Sequence, residues 1–331
     1  MNVPPWLTGS VPFPAIEDWR ADAALCVRQN LRAREMVTDA CRSVVARLDS
    51  LPPDEMVATL LRPEVFAFVT GPGGEDGWAE LQDGLAARTT RDAGSSLLWL
   101  NPTGQFTVVL RRQGRGSRRE SCAAANFIDP STAQFASCAT AVESALGLIE
   151  RIAPGFRAEI EKLVECVVLV DEGASFRGAS GLAFRGMIML SPEPDWTTCT
   201  FAEELVHEMT HLLLDLISIR EPLLKGEQAF DEAWAAAPFR PDKRPLYGNF
   251  HALMVVARLI HLFGAFERCG AEPETSWSAK AHDYAQRSAE ALAALKAHGD
   301  LSAMARRLFN TLVEPTLGAT LAAASTTTSS A

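Results

Sequence analysis

The sequence predicts an α+β fold, mostly helical, with a small sheet packed on one buried helix. Three observations carry this. Apolar residues recur at helical spacing over most of the chain, as at Leu25, Leu31, Val37, Val44 and Leu48 in the first stretch. Two runs, CVVLVDEG at 166–173 and SGLAFRGMIMLSP at 180–192, read instead as buried strands, the second with a glycine at its bend. Directly after them, TTCTFAEELVHEMTHLLLDLISI at 197–219 is a long helical pattern that is apolar on most of its circumference.

Taken in order, a helix is expected from Ile16 to about Leu51, where LPP stops it, and another over 54–61. The glycine-rich TGPGGEDG lacks the Lys-Ser/Thr of a phosphate loop and reads as a turn. SSLLWLNP and GQFTVVLRRQ read as two short strands, and 133–165 as helix. Beyond the motif helix come a loop, the helix HALMVVARLIHLFGAFERC, an Ala-rich helix over 276–298 and another over 301–313. The Ala-rich surfaces suit packing or a homodimer contact. The low-complexity tail AAASTTTSSA is expected to be disordered. This gives three regions: 1–165, helical and suited to peptide or leader recognition; 166–318, metal-binding and catalytic; and a tail at 319–331.

Composition narrows the function. The 331 residues carry a formal net charge of −10, which argues against a duplex-binding protein. The basic run RRQGRGSRRE at 111–120 reads as a solvated loop. Seven cysteines at irregular spacing, with no CxxC, fit reduced thiols. The N-terminus lacks the pattern of a signal peptide, and no uncharged apolar stretch is long enough to be read as a membrane span. A cytoplasmic protein with neither a nucleic-acid nor a membrane partner is expected.

The chemistry lies in HEMTH, 207–211. On a helix, His207 and His211 stand one above the other, so both imidazoles can reach one metal ion without bending the backbone. Thr200 followed by Glu203 reads as a capping box. Asp215 suits the orientation of a ligand histidine. The bland alternative is two helix histidines bonded to polar neighbours. A third ligand is sought downstream, from His251, Glu232 or, less favourably, Glu227. His261 reads as structural, and His282 and His298 as surface residues. Glu208 fits the general base of a zinc peptidase, and the strand-then-helix order gives a zincin-like core.

The segments HEMTHLLLDL and APFRPDKRPLYGNFHALMVV resemble the HExxH-motif peptide-modification family of ribosomally made natural products. The matching features are Arg244-Pro245, Gly248 and His251, within about 180–265. The resemblance implies iron(II), 2-oxoglutarate and O₂, with β-hydroxylation of a residue in a precursor peptide. Under it, His207, His211 and His251 hold the metal, a departure from the common two-His-one-carboxylate triad. A guanidinium must then take the distal carboxylate of 2-oxoglutarate, and Arg244, Arg240 and Arg258 are candidates. Zinc with Glu208 as base is the alternative, and a non-catalytic peptide-binding protein with a structural metal is a third. An exposed edge strand within 180–190 would suit an extended peptide under any of them, and a strand wholly paired within its sheet is the equal alternative.

Overall fold

The computed structural model describes residues 5, 9, 13, 16–35, 39–61, 65, 98–99, 128–129, 131–171, 176–181, 185–226, 230, 232, 234–240, 242–271 and 276–328. The chain is mostly helical with a small sheet, as the periodicities predict. It divides into two compact units, one of 15–144 and 159–198, the other of 1–14, 145–158 and 199–331. Compactness groups the sheet strands with the N-terminal helices.

In the first unit, α1 (Ile16–Glu35), α2 (Asp39–Asp49) and α3 (Pro53–Leu60) precede β1 (Leu98–Trp99). The single helix expected over 16–51 is thus two. The Asp49 carboxylate accepts from Arg28 and Arg32, whose guanidinium groups hold it below the usual carboxylate range. The second strand expected near 104–113 and the basic run at 111–120 lie outside the described residues. α4 (Ala133–Ile152) and α5 (Pro154–Leu163) replace the one helix expected over 133–165, broken where Pro154 cannot continue the hydrogen-bond ladder.

β2 (Cys166–Leu169), β3 (Gly178–Ala179) and β4 (Met187–Leu190) complete a four-stranded sheet of order β1-β2-β4-β3. β2 and β4 are fully buried and parallel, in the register Val167 to Ile188. Their continuous apolar sequence is what burial on both faces requires. Gly186 sets the register. Its φ of 77° suits glycine, and its carbonyl accepts from both Glu165 N and Cys166 N. β4 is flanked by β2 and β3, so it is interior. Of the two readings open for the strand within 180–190, an exposed edge or a strand paired within its sheet, β4 takes the second. The two-residue β3, just before it, takes the edge.

The second unit holds α6 (Thr198–Arg220), the hairpin β5 (Ala235–Ala236) and β6 (Lys243–Arg244), and α7 (Leu246–Arg268). α8 (Trp277–Arg287), α9 (Ala289–His298) and α10 (Ala303–Leu308) follow. A π-helical turn (Phe309–Val313) then leads into α11 (Glu314–Thr328). α11 runs through most of the tail that composition marks as structureless. α7 is long and apolar enough to cross a membrane, but 83% of its apolar window is buried in the fold, as in a core helix.

Candidate metal centre

α6 begins at Thr198, so Thr200 lies inside its first turn and does not cap it. Glu203 serves another purpose. Its side chain is 5% exposed, and its two oxygens accept from Lys280 Nζ and from Tyr284 Oη at 2.8 Å. The Lys280 ammonium in turn lies 5.3–5.8 Å from the rings of Phe263, Trp277 and Tyr284, which enclose it. Glu203, His207, His211 and Asp215 recur every fourth residue and so form one polar stripe along the helix.

Within that stripe the Nε2 atoms of His207 and His211 are 3.3 Å apart. Two nitrogens each about 2.1 Å from one ion would show this separation at an angle of roughly 100°, between octahedral and tetrahedral values. The i,i+4 spacing therefore delivers two converging donors. His251 stands in the second turn of α7, not at the helix start, and is buried. Its Nδ1 lies 3.4 Å from Nδ1 of His211, and the two rings stack at 5.6 Å and 17°. His211 thus turns opposite ring edges to its two partners. The three imidazoles form a row, and among the described residues no group of three or more His, Cys, Asp or Glu converges as a finished metal cage. Two donors fit a metal in type and position. The third fits in type and lies beside them, facing the other edge of His211.

The carboxylate of Glu208 is buried, with Oε1 3.9 Å from His207 Nε2. Glu232 is exposed, and Glu227 lies outside the described residues. The three arginines differ. Arg258 is 1% exposed, with its guanidinium 4.6 Å above the Phe156 ring. Arg244 is half-buried, its Nε 2.8 Å from Asp242 Oδ2 and its Cβ against Gly248. Arg240 is exposed.

Several residues that sequence reasoning passes over complete the centre. Phe239, at the tip of the β5–β6 hairpin, lies 4.7 Å from the His207 ring and edge-on to Tyr284 at 5.4 Å. Tyr247 lies 4.5 Å from the His251 ring, with the exposed Phe230 5.0 Å from its own. Burial pushes the Tyr247 phenol up, and nearby Asp215 adds to this while a hydrogen bond with Ser218 opposes it. Asp215 thus lies near Tyr247. These are the only two tyrosines in the chain, and that rarity is the one signal in the sequence that could have drawn attention to them. Asn249 Nδ2 donates to the carbonyls of Ala235 and Arg244, tying both hairpin strands to the first turn of α7. His261, ten residues beyond His251, bonds Thr316 Oγ1 at 3.1 Å and is structural. His298 stacks on Trp234 at 4.5 Å.

Comparison with protein-family models and with curated proteins returned no match to this chain, so the centre is read from its own residues.

Proposed function

We propose that the protein is an iron(II)- and 2-oxoglutarate-dependent oxygenase that hydroxylates a side-chain β-carbon in a ribosomally made precursor peptide. The observation that carries it is the meeting of His207, His211 and His251, two of them with converging Nε2 atoms. His207 and His211 would hold the ion, and His251 would supply the third nitrogen. Bound there, iron with 2-oxoglutarate and O₂ supplies the oxidising chemistry. The zincin-like arrangement of sheet and HExxH helix belongs to the same proposal.

The surrounding side chains have separate tasks. Arg244 is suited to the distal carboxylate of the cosubstrate, because a half-buried guanidinium binds it bidentately at moderate desolvation cost. Arg258 is enclosed beside Phe156 and serves as a core cation. Phe239 and Tyr247 pack against the outer imidazoles and limit their contact with water. Glu208 orients the substrate or the His207 ring.

One observation favours a second reading. Glu208 lies where a zinc peptidase places its general base, beside the first histidine and buried. Anaerobic titration of metal-free protein with iron(II) and then 2-oxoglutarate separates the two. A saturable charge-transfer band, lost in His207→Ala and weakened in Arg244→Ala, supports the oxygenase. No band, from a protein that retains zinc stoichiometrically and loses turnover in Glu208→Gln, transfers the assignment to the peptidase. Turnover that depends on both His207 and His211 removes the non-catalytic alternative.

A further inference from the structure

The cations around the centre are nearly all accounted for. Lys280 is bound to Glu203, Arg244 to Asp242 and Lys243 to Glu290 at 3.8 Å. Arg258 is enclosed. Arg240 is different. It is exposed, and among the described residues it has no acidic partner.

Its backbone is nevertheless held in place. The Arg240 N–H donates to the Ala237 carbonyl at 3.0 Å, closing a turn with Pro238 in the second place. Pro241 follows in the sequence and restricts Arg240 to extended backbone. The preceding residue, Phe239, is held between His207 and Tyr284. The Arg240 backbone is therefore held one peptide unit, about 3.8 Å between Cα atoms, from a residue in contact with the centre, and its side chain is exposed. An exposed guanidinium is open to a passing polypeptide.

We infer that Arg240 anchors an acidic side chain of the polypeptide substrate, at a point separate from Arg244. The inference rests on the peptide-modifying reading above for the nature of the substrate. An extended chain advances about 3.3 Å per residue, so the recognised acid lies a few residues from the one presented to the histidines. With a net charge of −10, the protein as a whole repels an acidic peptide. A preference for acid must then come from a local cation, and it weakens with salt.

The test uses two dansylated, C-terminally amidated Ala/Gly decapeptides with a central serine, identical but for one glutamate or glutamine four residues away. Binding to the zinc-loaded full chain is followed by anisotropy. The glutamate peptide should bind about three- to tenfold more tightly. Arg240→Gln should abolish the difference while leaving the glutamine peptide unaffected, and Lys243→Ala should preserve it. The difference should persist in metal-free protein. Equal binding of the two peptides, a difference that survives Arg240→Gln, one that disappears with the metal, or no binding of the glutamate peptide at millimolar concentration each overturns the inference. A preserved, Arg240-dependent difference in a protein that gives no iron–2-oxoglutarate band would retain the anchor and sink the oxygenase reading.

Discussion

His261 should make the fold sensitive to acid. It sits on α7, three turns beyond His251, bonded to Thr316, and its pKa is pushed down from 6.5 to about 4. Burial is the main cause, and the nearby Arg258 and Arg268 add to it. The ring is neutral in the fold but takes up a proton in the unfolded chain below about pH 6.5, so unfolding binds a proton in that range. Stability is full above the unfolded value and is lost as pH falls from about 6.5 toward 4. From those two values the loss between pH 7 and pH 5 is about 2 kcal/mol, an upper figure because the ring keeps some contact with solvent. Urea unfolding at pH 7, 6 and 5 measures it, with His261→Gln as reference, since glutamine can bond Thr316 and does not titrate. Contributions common to both proteins cancel in the comparison. The wild-type curve should fall more steeply by up to that amount. Parallel pH dependences would refute the reasoning.

Other consequences are open to measurement. Glu203→Ala leaves Lys280 without its carboxylate and should cost about 2–3 kcal/mol in urea unfolding. Lys280→Met should cost more than a surface substitution, because it leaves the buried Glu203 charge uncompensated. Gly186→Ala places a side chain at φ 77° and within 3.0 Å of Glu165 Cγ, so a loss of about 1–2 kcal/mol is expected. His207→Ala and His211→Ala should each lower metal affinity at least about tenfold by competition with a chromogenic chelator, with secondary structure unchanged by circular dichroism. Equal affinity in either variant would remove that histidine from the ligand set.

The motif helix could be read in advance because a helix places every fourth residue on one face, and this alone brings His207 and His211 together. Apolar continuity likewise marked β2 and β4. The same continuity could not say that β4 is interior, since pairing on both edges depends on partners far along the chain. His251 is suggested by its residue type and by the family resemblance that Gly248 helps to carry. Which edge of His211 it faces depends on the packing of α7 and Tyr247, which no local pattern encodes. The β5–β6 hairpin has strands of two residues, too short for any periodicity, so Phe239 went unnoticed. Glu203 invited a capping reading because its true partners, Lys280 and Tyr284, are 77 and 81 residues away.

The amide of Asn249 has a consequence for how this protein could diversify. Both hairpin strands hang by a carbonyl from one side chain, at Ala235 and at Arg244. Everything strung between those two suspension points can be exchanged without loosening them. The tip is in that sense an interchangeable tool head on a fixed shaft: new loops spliced between 236 and 243 would change what is presented beside His207 while the histidines stay where α6 and α7 hold them.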